Sequence, residues 1–160
     1  MLYLLNDPFF ARNFVYGVQD SLISTSGVVL GVSFANFSLH NILTTGYIVI
    51  LVEALSMAYG SFISEDAFMK TAKMKYTQQT VLNYAIVMFL SYVLAGFIPL
   101  LPFILKLKNP WIYTILFTIS TLSLLIYIFQ HDIKKTITQT IYGIIILFLS
   151  LYVGKNIKIW

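Results

Sequence analysis

The chain has 160 residues, 59% of them apolar and only 10% charged, with a formal charge of +4 and no cysteine. Ordinary soluble domains carry about 25% charged residues, so this balance excludes a water-soluble globule and indicates an all-α integral membrane protein with room for one helical bundle and no separate soluble domain. The missing cysteines exclude disulfides and thiolate metal sites, and no basic run interleaved with aromatics offers a nucleic-acid face.

Five apolar stretches follow one another at Phe14–Phe37, Thr44–Ser64, Val81–Leu105, Trp111–Phe129 and Ile137–Val153. Each approaches the roughly 20 residues a helix needs to cross the hydrocarbon core, so one five-span domain over residues 1–160 is expected. The stretches are longer and more continuously apolar than barrel strands, which alternate over about ten residues. Trp111, Tyr113 and Trp160 stand where interfacial anchors belong. Met1–Phe10 lacks a basic segment followed by an apolar run and a cleavage site, so the first span is expected to double as insertion signal. Most linkers are short. Glu65–Thr80 is longer but lacks Gly and Pro, which predicts that the second helix continues out of the membrane. Arg12, Lys70, Lys73, Lys75, Lys134 and Lys135 fall on one side, and Lys106, Lys108, Lys155 and Lys158 on the other. That bias favours a cytoplasmic amino terminus.

Carboxylates within membrane spans are costly and usually face a partner or a polar pathway. Asp20 lies early in the first span, and Glu53 lies in the second beside Met57. With a rise of 1.5 Å per residue, Asp20 and Met57 sit roughly 10 Å below the same surface, so an antiparallel hairpin brings them level. Glu53 and Met57 share a face at i, i+4. Two carboxylates and a thioether form a donor set for a divalent transition metal, because sulfur discriminates against Mg²⁺ and Ca²⁺. Asp20, Ser24, Gly27 and Gly31 are spaced like Glu53, Met57, Gly60 and Ser64. Small residues let helices approach closely in lipid, so the polar stripe is expected on a tight packing face, between helices or across the two-fold axis of a homodimer. Duplicated Asp20 and Met57 would then surround a central ion. Plainer roles stand beside these: Asp20 as a cap or snorkelling group, Glu53 as a protonated structural acid, and Met57 as core filling.

Pro99 and Pro102 free backbone carbonyls in the third span. They imply either a broken helix that offers oxygens to an ion or a simple kink near the helix end. Glu65, Asp66 and Met69, with Met74 further on, are either a metal entry point or a solvated helical face. His40 and His131 fall on opposite sides, and no nucleophile–base–acid set or phosphate loop is present, so an enzyme is not expected.

Tyr16-Gly-x-x-Asp20-x-Leu22-x-Ser24-Thr25, Ala54-x-Ser56-Met57-x-x-Gly60, Ile98-Pro99-Leu100-Leu101-Pro102 and Tyr152-Val153-Gly154, in this order, resemble the vacuolar iron transporter family, which includes nodulin-like iron and manganese transporters. The resemblance implies a dimeric five-helix carrier moving Fe²⁺, and often Mn²⁺, out of the cytosol in exchange for protons. It implies that Asp20 and Met57 line the metal path, with metal as cargo and no permanently bound cofactor. The implied location is the plasma membrane in a prokaryote and a vacuole-type membrane in a eukaryote. The family often has Asp-Gly where this chain has Asp20-Ser21, and Gly-Glu-Tyr where it has Gly60-Ser61-Phe62. Glu53 is the expected replacement for the lost acid. The loop after the second span is too short for the family's glutamate-rich metal-binding domain. A carrier of another cation or small solute, and a non-transporting membrane scaffold subunit, remain the alternatives.

Overall fold

The computed structural model describes residues 7–156 as five helices: α1 (Pro8–Phe34), α2 (Leu39–Thr71), α3 (Gln78–Ile104), α4 (Pro110–Gln130) and α5 (Ile133–Asn156). Lys158 and Trp160, used above for orientation and anchoring, lie outside the described residues. Local chemistry sets the helix boundaries. The Asp7 carboxylate accepts from Phe9 N and Phe10 N ahead of Pro8, Ser38 caps α2 and Thr77 caps α3. Asp132 accepts from Lys134 N and Lys135 N to start α5. These side chains satisfy amide donors that the first helical turn leaves orphaned. Asn36, Lys73, Lys106, Asn109 and His131 turn the chain with positive φ.

α2 is 33 residues long, about 50 Å at 1.5 Å per residue. It therefore overreaches a hydrocarbon core of about 30 Å and continues past Ser64 to Thr71, as the absence of Gly and Pro predicts. α3 runs unbroken through Pro99 and Pro102 near its end. Both rings are buried, and the Pro99 carbonyl accepts from Thr114 Oγ1 of α4 at 2.9 Å. The prolines thus sit within a continuous helix, and α4 supplies a donor to one of its carbonyls.

α3 packs most extensively, against α1 and α2, while α5 lies against α1 and α4. One core cluster joins Val18 and Leu22 of α1 to Ala95, Leu122, Leu125 and Ile126; another joins Val29 to Ile42, Ile50, Leu100 and Phe103. Leu51, Leu55, Leu94, Tyr142 and Phe148 instead point outward. In water such a coat would be an aggregation surface, whereas lipid solvates it.

By length and composition, α2, α3, α4 and α5 can cross a membrane. α1 is long enough but more polar, for a structural reason. Its Ser21 hydroxyl donates to the Tyr92 carbonyl at 2.6 Å, and Ser26 shares a 2.6 Å hydrogen bond with Thr118. Polar groups that cannot face lipid are satisfied by neighbouring helices, which makes α1 the inner helix of the bundle.

Candidate functional site

The stripe Asp20, Ser24, Gly27 and Gly31 lines a groove of about 760 Å³. The opposing wall comes from α5, with Ile146, Leu149, Ser150, Val153 and Gly154. The tight packing expected between helices or across a two-fold axis is met, within the chain, by α5. Small residues explain the approach, since a Cβ on Gly154 would collide with the Gly31 backbone and one on Gly27 would lie 2.8 Å from Ser150 Oγ. Gly60, the corresponding residue on α2, is exposed and has nothing within 4 Å of a Cβ built on it. It therefore makes no tight contact among the described residues.

Asp20 is half-buried at one end of the groove, and Glu53, exposed on α2, lies within electrostatic reach of it. Asn13 bonds both Ser61 and Glu65 across the antiparallel α1–α2 pair. Carried along the two helices, that register sets Asp20 opposite residues 54–58, the segment containing half-buried Met57. Neither Met57 nor Glu53 forms part of the groove wall. Among the described residues no group of three or more His, Cys, Asp or Glu is gathered for a metal. The arrangement offers two carboxylates and a thioether from one chain.

Tyr92 of α3 went unnoticed in the sequence. It is fully buried; its hydroxyl shares a 2.5 Å hydrogen bond with Ser24 Oγ, and its oxygen lies within electrostatic reach of Asp20 and Glu53. The only sequence signal was a tyrosine in the middle of an apolar span, where a buried hydroxyl requires a partner. Thr25 Oγ1 is also buried there, with no hydrogen-bond partner among the described residues.

The acidic stretch at the end of α2 is neither a solvated face nor a gathered set of ligands. Glu65 and Met69 are 1% and 2% exposed, because their i, i+4 spacing turns both toward α1 and α3. Glu65 Oε1 is taken by Arg12 and, at 2.8 Å, by Asn13. Asp66 faces away and accepts from Lys70 at 2.5 Å, Tyr76 at 2.7 Å and Gln78 at 3.2 Å. Those partners take Glu65 Oε1 and both Asp66 oxygens, which leaves Glu65 Oε2 alone without a donor among the described residues. Ser61, at the altered Gly60-Ser61-Phe62 position, donates to Asn13 at 2.6 Å. The carboxylate sharing its network is Glu65, one turn on, rather than Glu53. Pro99 and Pro102 lie away from the groove wall.

A family model described as the VIT family matches residues 11–83, which span most of α1, all of α2 and the start of α3. No curated protein and no solved structure matches the chain. Asp20, Glu53 and Met57 all fall inside the matched stretch, which is under half of the chain and is similar to the VIT family.

Proposed function

We propose that the protein carries Fe²⁺ or Mn²⁺ out of the cytosol in exchange for protons. The observation that carries the proposal is the position of Asp20 at the head of the α1–α5 groove and within electrostatic reach of Glu53, and the Asn13 register carries it to the level of the Met57 segment. α1 acts as a fifth, central span whose lipid-averse side chains are sheltered by the other four. Two copies related by a two-fold axis would supply two such donor sets, raising the ligand count around an ion as closed symmetry allows. The lysine and arginine bias favours a cytoplasmic amino terminus.

Deprotonated Asp20 and Glu53 attract the cation, and the Met57 sulfur favours a softer ion over Ca²⁺ or Mg²⁺. Metal and proton compete for the same carboxylate oxygens, so protonation from the far side releases the cargo. Ser24, held by Tyr92, adds a neutral oxygen one turn from Asp20. Equilibrium binding of Mn²⁺ and Fe²⁺ to purified protein, compared among the unchanged chain, Asp20→Asn and Met57→Leu, tests the assignment. Asp20→Asn should lose binding, and Met57→Leu should lose preference over Ca²⁺, both at unchanged membrane levels. Binding unaffected by either substitution favours a scaffold.

A further inference from the structure

The end of the bundle that carries the α1 amino terminus is fastened in a way the groove end is not. Asp7 caps α1 with one carboxylate oxygen and accepts from the Tyr84 hydroxyl of α3 with the other, at 2.8 Å. Arg12 pairs with Glu65 of α2, and its guanidinium carbon lies 5.5 Å from the centroid of the Phe9 ring. Asn13 Nδ2 donates to Glu65 Oε1 and to the Phe9 carbonyl, while its Oδ1 accepts from Ser61. Phe9 packs on Phe68 at 5.7 Å and on Tyr84 at 5.5 Å, above the buried cluster of Met69, Val81 and Tyr84. From Asp20 the groove runs the opposite way, to Ala35 and Phe37. Asp20 therefore lies between a fastened end and a grooved one.

The ion pair is unevenly built. The Glu65 side chain is 2% exposed and that of Arg12 is 43% exposed. Glu65 Oε2 is buried with no hydrogen-bond partner among the described residues. A buried carboxylate is well held only when its remaining lone pairs are satisfied. Here one oxygen takes both donors, and the arginine can swing toward the surface. The charged and titratable groups facing Glu65 are Arg12 from α1 and Tyr84 from α3, the latter bonded to Asp7.

We infer that Arg12 and Glu65, braced by Asn13 and Ser61, form a latch that closes the amino-terminal face of the protein over Asp20, and that its release opens the α1–α2 seam to that face. Its role as a gate in transport rests on the function proposed above; the latch itself does not. A locked, fully satisfied bridge would serve stability alone, whereas a half-satisfied pair at the rim can close and open.

The chain has no cysteine, so a single Ala54→Cys serves as a reporter. Ala54 is fully buried on α2, on the same helical stripe as Ser61 and Glu65 and deeper than both. A membrane-impermeant maleimide is applied to the amino-terminal face of vesicles, with Lys73→Cys, in the exposed α2–α3 turn, as the reference for free access. The reporter should label far more slowly than the reference. Arg12→Gln, which strands a buried carboxylate, should raise its rate by roughly tenfold or more. Glu65→Gln should raise it less, because the amide leaves no buried charge and can still bond Asn13. The double variant should resemble Glu65→Gln. Reporter labelling as fast as the reference in the otherwise unchanged protein, or Arg12→Gln and Glu65→Gln rates equal to the parent's at equal helix content, would overturn the latch. Ion flux is measured in the same vesicles. Opening of the seam without any divalent flux would leave the latch standing and remove the transport function, and the converse would do the reverse.

Discussion

Gly17, next to Tyr16 in the first motif, packs tightly against α3. A Cβ added there would overlap the Ser91 hydroxyl, lie 2.8 Å from the Met88 carbonyl oxygen and 3.1 Å from Ser91 Cβ. Ser91 cannot simply rotate away, because its hydroxyl donates to that same carbonyl at 3.0 Å in a buried position. Gly17→Ala therefore forces the helices apart or breaks the bond. Overpacking costs about 1–3 kcal/mol and a lost hydrogen bond about 1 kcal/mol. The helix propensity of alanine returns about 0.5–1 kcal/mol, leaving a net destabilisation of about 1–3 kcal/mol. Gly60→Ala is the matched control: with nothing within 4 Å of the new methyl, it should be neutral or stabilising by up to about 1 kcal/mol. Reversible unfolding in mixed micelles, followed by far-ultraviolet circular dichroism, compares the two. Adding Ser91→Ala should recover part of the Gly17→Ala loss, since Oγ is the nearest obstacle, and neighbouring sites couple in this way. Equal stabilities for Gly17→Ala and Gly60→Ala would refute the α1–α3 packing described here.

Three further outcomes follow from single contacts. Thr114→Val removes the hydroxyl that donates to the Pro99 carbonyl and should cost about 1 kcal/mol in the same unfolding assay; no change would mean that this carbonyl needs no donor. Tyr92→Phe keeps the buried ring but frees Ser24, so Mn²⁺ affinity should fall while membrane levels hold; unchanged affinity would confine Tyr92 to packing. The Asp66 hydrogen bond raises the Tyr76 phenol above its ordinary value of 10.0. A raised phenol favours the folded state below its unfolded pKa, and that contribution is lost as pH rises through the folded one. Ultraviolet titration should show one tyrosine ionising earlier in Asp66→Asn, and an unmoved titration would count against the bond.

The apolar runs made the five helices legible, and the prolines and small polar caps marked several of their starts. The face Asp20–Ser24–Gly27–Gly31 was legible too, because helical period alone puts those residues in one line. Its partner was not: α5 carries Ser150 and Gly154 opposite the stripe, and periodicity within one helix says nothing about which distant helix meets it. The same limit hid the end of α2. Glu65 beside Asp66 and Lys70 reads as a solvated run, and Arg12 as a topology marker. Only the fold reveals that the acid is buried against that arginine and Asn13. Tyr92 was lost among eleven tyrosines because one hydroxyl in an apolar span carries no period.

The central claim is that this chain moves divalent transition-metal ions past Asp20. Uptake into proteoliposomes, comparing Fe²⁺, Mn²⁺, Zn²⁺ and Ca²⁺ with and without a pH gradient, tests it most directly. Fe²⁺ or Mn²⁺ flux should be gradient-driven, Ca²⁺ flux should be small, and Asp20→Asn should lose transport. Folded protein that passes no divalent ion, or flux that survives Asp20→Asn undiminished, would contradict it.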